Sequence, residues 1–142
     1  MEVAAYPKMY LYRRLVQAKL LIDTRFAEPI DLGLIADEAS FSKFHFIKLF
    51  KNTYRRTPHQ YLIFVRIQKA MELLEMGRPV SEVCYAVGFE SLGSFSLLFK
   101  RVAGVTPSAF LSRHRALRAE IAEAPLRFIP GCFALRNGWL AK

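Results

Sequence analysis

The sequence contains an internal repeat, and this repeat restricts the possible folds more than any other feature. Residues 35–62 (copy one) resemble residues 83–111 (copy two). Positions 46–62 align without a gap on positions 95–111, and seven of these 17 positions are identical. Upstream, the match continues with one extra residue in copy two. A repeat of this length indicates one small structural unit that occurs twice.

Each copy has the pattern of a short helix, a turn, a longer helix and a new helix that starts at a Thr-Pro pair. Thr57-Pro58 and Thr106-Pro107 are strong start signals, because threonine caps a helix and proline needs no hydrogen bond at the first position. Apolar residues recur at helical spacing, and no alternating run predicts a strand. We therefore expect an all-α fold. Seven helices are predicted, at about residues 9–26, 32–39, 43–54, 58–75, 80–87, 91–102 and 107–118.

These helices group into two helix-turn-helix subdomains joined by a long linker helix. The first unit covers residues 9–57, the linker helix 58–76 and the second unit 77–118. A C-terminal tail, residues 119–142, begins as a helix and then mixes apolar residues with Pro and Gly. Two interpretations of this tail stay open. In the first, the tail has no binding role and either packs on the domain or is disordered; in the second, it docks a partner.

The charge of the chain favours a polyanionic partner. The net charge is +9 at pH 7, and residues 55–142 carry seven of these charges. Such an excess favours nucleic acid or another anionic surface. Hydrophobic residues make up 53% of the chain, which is enough to form a buried core.

Several other classes of protein are not supported by the sequence. It has no apolar run of 18 residues and no secretory leader, so we expect neither a membrane span nor export. Cys84 and Cys132 are too few for a disulfide framework, which favours the cytoplasm. His59 and His114 lack partners at metal-ligand spacing, and no phosphate loop or catalytic pair is present. We expect no metal, no cofactor and no enzymatic activity.

A helix-turn-helix places its second helix in the major groove of DNA. The supporting helix needs a small residue at the helix contact, for which Ala36 and Cys84 are suited, and the turn needs a compact residue, such as Ser40 and Gly88. The longer helix needs an apolar inner face. Phe46, Leu49 and Phe50 form this face in copy one, and Phe95, Leu98 and Phe99 form it in copy two.

This arrangement resembles the AraC-type DNA-binding domain of bacterial transcription regulators, over about residues 10–115. The most specific stretches are Gly88-Phe89-Glu90-Ser91, Phe95-Ser96, Phe99-Lys100 and Gly104-Val105-Thr106-Pro107, together with Arg66-Ile67, Ala70 and Leu73-Leu74 in the linker helix. The resemblance implies a seven-helix domain whose linker helix holds two recognition helices in successive major grooves. It also implies a transcription regulator, most often an activator that helps to recruit RNA polymerase.

The resemblance further implies which residues contact double-stranded DNA. Expected base contacts are Phe44, Ile47 and Lys48 in copy one, and Leu92, Gly93, Ser94, Ser96 and Leu97 in copy two. Expected phosphate contacts are Ser42, Lys43, His45, Lys51 and Arg55 in copy one, and Ser91, Lys100 and Arg101 in copy two. Because one chain supplies two recognition helices, we expect it to bind DNA as a monomer.

The sequence also departs from the family pattern. Ile47 and Leu97 stand where family members often carry polar or charged side chains that contact bases. Copy two is therefore short of hydrogen-bonding side chains. Leu97 is limited to apolar contact with a thymine methyl. Arg56 takes the place of the glycine usual before Thr-Pro, and we expect it to have a positive φ. Arg66 has two possible roles, a phosphate contact or a brace between the units.

Three classes of function follow from these features. The first is a sequence-specific transcription regulator. The alternative is a basic nucleoid-like or RNA-binding protein with low sequence specificity, which the weak readers of copy two favour. An enzyme has almost no residue support, because the zinc-bearing DNA-repair relatives that carry such a domain need a cysteine cluster that this sequence lacks.

Overall fold

A computed structural model describes residues 5–31, 33 and 43–138 of the chain. Its α-helices are α1 (Ala5–Arg25), α2 (Lys43–Tyr54), α3 (Pro58–Glu75), α4 (Val80–Ala86), α5 (Leu92–Ala103), α6 (Pro107–Glu123) and α7 (Gly131–Arg136), with a 3₁₀ helix at Pro125–Phe128. These described residues contain no strand, and the all-α class is confirmed. The described residues do not include the helix predicted at residues 32–39, apart from Gly33. Ala36 of that helix and the turn residue Ser40 therefore lie outside them.

The helix starts follow the local capping signals. The Thr57 hydroxyl accepts a hydrogen bond from the Gln60 N–H, while the Gln60 side chain accepts one from the Thr57 N–H at 3.0 Å. Thr106 and Ser91 cap α6 and α5 in the same way, each through its hydroxyl. Each cap satisfies an amide that has no partner within its helix. The predicted start signals at Thr57 and Thr106 are therefore confirmed.

Two separate hydrophobic cores lie along the molecule, one for each repeat copy. The first is formed by Leu15, Ala18, Ile22, Phe46, Phe50 and Leu62. The second is formed by Ile67, Ala70, Leu74, Val83, Cys84, Val87, Phe89, Phe95, Phe99 and Leu111. The helix α3 contributes residues to both cores, as expected of a linker helix. Cys84 is fully buried, as its small size at the helix contact predicts, and burial raises the pKa of its thiol.

The residue with left-handed backbone at the end of α2 is Arg55, and the expectation that it is Arg56 was wrong. Arg55 has a φ of 67°, and its N–H donates to the Lys51 carbonyl at 2.8 Å. At the end of α5, Gly104 has a φ of 83° and its N–H donates to the Lys100 carbonyl, also at 2.8 Å. The repeat aligns residue 55 with Gly104. The helix-ending position that favours glycine is therefore occupied by arginine in copy one.

Two helices extend further than the periodicity predicts. The helix α1 already begins at Ala5, before the expected residue 9. The helix α6 continues to Glu123, and its Arg115 and Arg118 donate to the carbonyls of Gly77 and Met76 just beyond α3. These hydrogen bonds satisfy carbonyls at the end of the linker helix, which have no partner within it. They fasten α6 to that end of α3.

Candidate nucleic-acid interface

In α2, one face is buried and the opposite face is open to solvent. Phe46 and Phe50 are fully buried, and their ring centroids lie 6.0 Å apart. Phe44, Lys48 and Lys51 are exposed and lie at helical spacings of four and three residues, so they form one stripe. Phe44 is 79% exposed, which places an aromatic ring in solvent at the start of this stripe.

The helix α5 repeats this arrangement at the aligned positions. Phe95 and Phe99 are buried, with ring centroids 5.7 Å apart, and they fix the inner face. Gly93, Leu97 and Lys100 are exposed on the opposite face, and Leu97 is 63% exposed. We call these two exposed stripes the reading stripes: Phe44, Lys48 and Lys51 on α2, and Gly93, Leu97 and Lys100 on α5.

The other expected contact residues lie around these stripes. Exposed positions are Lys43, His45, Arg55, Ser91, Leu92, Ser94 and Arg101. Ile47 and Ser96, which the repeat aligns with each other, are half-buried at the edge of each stripe. The Ser91 hydroxyl accepts the Ser94 N–H, so its own proton stays available to an acceptor. Ser42 lies outside the described residues.

Six cations lie at the two recognition helices. Within the described part of the chain, no ion pair is formed by Lys43, Lys48, Lys51, Arg55, Lys100 or Arg101. Elsewhere, ion pairs are formed by Lys19, Arg25, Lys69, Arg78 and Arg127. Other described cations, among them Arg13, Arg14 and Arg113, also form no ion pair. What distinguishes the six is their place beside the reading stripes, where a polyanion can neutralise them.

Unit one is held together by a polar contact between α1 and α3. The Tyr61 hydroxyl donates to the Asp23 carboxylate at 2.5 Å, and Lys19 pairs with the same carboxylate at 2.7 Å. Hydrogen bonds to Asp23 and Tyr61 raise the pKa of Lys19. Tyr61 also packs edge-on against the buried Phe50 of α2, with centroids 5.9 Å apart. This network orients α2 relative to α1 and α3.

Of the two roles considered for Arg66, the structure supports the brace. Its Nε donates to the Phe26 carbonyl at 2.7 Å, and its Nη2 donates to the Glu28 carbonyl at 3.1 Å. The side chain is half-buried, and burial lowers the pKa of the guanidinium, while the neighbouring Glu90 opposes this shift. The donors of Arg66 are thus directed at the end of α1.

Two contacts were missed by sequence reasoning. Arg56 places its guanidinium 3.9 Å from the centre of the Phe64 ring, a cation–π contact between residues eight positions apart in the chain. Gly88 lies so close to the backbone of Ala27 that an added Cβ would be 2.9 Å from its carbonyl oxygen. The first contact has a weak local signal in the Arg-Phe spacing. The second joins residues far apart in the chain and has none.

Other chemistry is not indicated by the described residues. They contain no cluster of three His, Cys, Asp or Glu side chains that could hold a metal ion. Among them, too, no helix has both the length and the apolar character needed to cross a membrane. The groups assembled at the reading stripes are hydrogen-bond donors, cations and apolar side chains, which suit contact with a polyanion.

Comparison with known proteins is consistent with this geometry. The family model described as a helix-turn-helix domain matches residues 35–113. The MmsAB operon regulatory protein of Pseudomonas aeruginosa is 37% identical over 87 residues, which cover 61% of this chain and 28% of that protein. The chain therefore spans less than a third of this relative's length.

Solved structures of similar fold carry the same type of domain. The DNA-binding domain of AdpA, a global transcriptional factor crystallised with a target DNA, superposes with a TM-score of 0.68 and 29% identity, covering 74% of this chain and 96% of that one. A probable AraC family transcriptional regulator from Rhodopseudomonas palustris gives a TM-score of 0.64 and 25% identity, covering 72% and 97%.

Proposed function

The chain belongs to the AraC-type family of helix-turn-helix DNA-binding proteins, and from this premise we propose that it regulates transcription by binding double-stranded DNA sequence-specifically. The recognition helices α2 and α5 enter successive major grooves, as in other helix-turn-helix proteins. One observation carries the proposal: both copies expose a stripe at aligned positions, beside cations that form no ion pair within the described residues.

The two stripes differ in what they offer to base edges. Lys48 carries three donors, which suit the acceptors of guanine in the major groove. The aligned Leu97 has none and offers only an apolar surface that fits a thymine methyl. Lys51 and Lys100 occupy the same aligned position near the end of each helix and would contact phosphates, which position the protein without reading sequence.

A basic protein with little sequence preference is the competing function. The observation that favours it is the exposed Leu97 beside Gly93, a pair without hydrogen-bonding side-chain groups. Copy one, however, exposes Lys48 and Phe44 on its stripe, and these suffice to prefer some bases. Sequence-specific binding that is stronger in one half of the site is therefore the function that the geometry supports best.

The deciding experiment is footprinting on genomic fragments at fixed salt with excess competitor DNA. We expect protection of discrete sites about two helical turns long. Uniform, competitor-sensitive coating of all fragments would overturn the proposal in favour of the low-specificity alternative. RNA competitor tests the RNA-binding form of that alternative.

A pair of variants tests whether the stripe is the contact surface. Lys51→Ala removes a cation of α2 that has no ion-pair partner among the described residues, and it should lower the salt slope of binding by roughly one unit. Lys69→Ala is the matched control, because Lys69 is an exposed cation of α3 that pairs with Glu72 at 2.8 Å. We expect its salt slope to stay at the wild-type value. Equal effects of both changes would place the DNA elsewhere.

The sign of regulation is a further part of the proposal. The family is one of DNA-binding regulators and not of enzymes. We propose that the chain catalyses no reaction, works in the cytoplasm where bacterial DNA lies, and acts as an activator that helps to recruit RNA polymerase. A reporter promoter placed next to a footprinted site should become more active when the protein is expressed. Lower activity would identify a repressor.

A further inference from the structure

Three parts of the chain meet at the point where α1 ends. The segment Phe26–Glu28 follows α1 and therefore belongs to unit one. It contacts the middle of α3 through Arg66, and it contacts the turn between α4 and α5 through Gly88. We call these residues, together with Phe89, the clasp. The clasp joins unit one directly to the turn that precedes the second recognition helix.

Arg66 connects all three parts of the clasp. Its two hydrogen bonds end on the carbonyls of Phe26 and Glu28, while its guanidinium carbon lies 5.7 Å from the centre of the Phe89 ring. Phe89 belongs to the second core, where its ring lies 5.3 Å from that of Phe95 in α5. One side chain of the linker helix thus contacts the end of α1 and a core aromatic of unit two.

Close packing supports this connection. The side chain of Phe26 packs against both hydrophobic cores, which share no other described residue. Gly88 has a φ of 98°, and an added Cβ would be 2.9, 3.0 and 3.1 Å from three backbone atoms of Ala27. Backbone atoms cannot rotate away as a flexible side chain does, so only glycine fits this contact.

We infer that the clasp fixes the orientation of the two recognition helices and thereby sets the spacing of the half-sites that the protein accepts. This inference rests on the proposed function. Within the described residues, the clasp adds a second attachment to the one that α3 provides, and without it either unit could tilt relative to α3. The second point of attachment removes that freedom, so Arg66 and Gly88 are positioning residues.

Helical DNA makes this orientation measurable. An insertion of two base pairs between half-sites turns the second half-site by about 70° around the duplex axis, since one turn takes about 10.5 base pairs. A rigid pair of units cannot follow this rotation and binds only one half-site at a time. It therefore loses the increase in affinity that comes from binding both half-sites at once, which reaches about 100-fold or more. Two units that can tilt relative to each other keep part of that increase in affinity.

The test compares variants that break the clasp with controls that change similar groups elsewhere. Arg66→Met removes both hydrogen bonds to unit one, and Arg115→Met removes an arginine–carbonyl bond to Gly77 that does not involve unit one. Gly88→Ala strains a left-handed residue and also pushes on Ala27. Gly104→Ala strains a left-handed residue whose Cβ would meet nothing within 4 Å.

The probe is a set of DNA duplexes that the wild-type protein selects from a random-sequence pool, with and without two inserted base pairs. We expect the insertion to weaken wild-type binding by about 100-fold, and the two control variants to show a similar ratio. Arg66→Met and Gly88→Ala should reduce the ratio to about tenfold or less. If the clasp variants show the same ratio of affinities without and with the insertion as their controls, the inference is overturned. The proposed function is not affected by that result.

Two further outcomes are separated by the same design. If the wild-type protein selects no two-part site, the proposed function fails, and the inference fails with it. If Arg66→Met does not fold by circular dichroism, Arg66→Lys replaces it, since lysine keeps the charge but cannot bridge two carbonyls, and an intermediate ratio is expected.

A measurement without DNA gives an independent result. Spin labels on Lys51→Cys and Lys100→Cys, in a Cys132→Ser background, report the distance between the two recognition helices. Both lysines are exposed and aligned in the repeat. We expect one narrow distance distribution in the protein with an intact clasp and a broader one in Arg66→Met. Unchanged width would show that α3 alone holds the two units and would overturn the inference.

Discussion

Replacing Arg55 by glycine should stabilise the protein. Arg55 is the one described residue other than glycine with a positive φ, at 67°, and its counterpart in copy two is Gly104, at 83°. A side chain in left-handed backbone costs about 1–2 kcal/mol. Glycine removes this cost but restores about 0.5–1 kcal/mol of chain entropy to the unfolded state. We expect a net gain in the free energy of unfolding of about 0.5–1 kcal/mol.

The assay is urea denaturation followed by circular dichroism, with a thermal melt in parallel. A gain of this size raises the midpoint of a domain of this length by roughly 2–4 °C. Arg55→Ala is the matched control, because it removes the same charge but keeps a Cβ in left-handed backbone. Its stability should stay within about 0.5 kcal/mol of the wild type. Gly104→Ala should lower stability, since it introduces the strain that Arg55 already bears.

Equal stabilisation by Arg55→Gly and Arg55→Ala would refute this reasoning, because relief of charge repulsion near Lys51 would then be the cause. DNA binding should change in the opposite direction from stability. Both variants lose an expected phosphate contact, so each should reduce the salt slope by about one unit. Arg55→Gly is therefore expected to be the more stable protein and the weaker binder.

Three further predictions concern the interface. Lys43→Ala should weaken binding nearly evenly across sequences and lower the salt slope by roughly one unit; an unchanged slope excludes a phosphate contact there. Lys48→Ala should relax specificity at one or two base pairs, by about 1–3 kcal/mol, whereas Leu97→Ala should change it little. A base-by-base substitution scan checks this, and losses concentrated in the half-site of copy two would contradict it. The protein should bind one asymmetric site as a monomer; two chains on a palindromic duplex, seen by sedimentation, would disprove that.

The parts of the fold predicted well from sequence are those set by near neighbours in the chain. Thr57 and Thr106 cap helices through amides three residues away, so the signal and its effect lie in the same short segment. Phe95 and Phe99 are buried because they recur at helical spacing on an apolar face, which the repeat confirms by a second example at Phe46. Local chemistry determines each of these features.

The parts predicted poorly depend on one-residue alignment or on distant contacts. In copy two the glycine stands two residues before Thr106, so residue 55, and not Arg56, is aligned with it. The helix-ending hydrogen bond from the Arg55 N–H determines the left-handed position. The approach of Gly88 to Ala27 joins residues that only the folded chain brings together. No pattern within either segment contains this information.

The difference between Lys48 and Leu97 also has a consequence for how the target site changes in evolution. In a regulator made of two identical subunits, each mutation of a recognition helix alters the base preference for both halves of the operator. The operator must then change in both halves to restore binding. Here aligned positions of the repeat are encoded separately within one gene. In the proposed binding mode, a mutation at residue 48 would alter one half-site and leave the other intact, so binding preferences could diverge one half at a time.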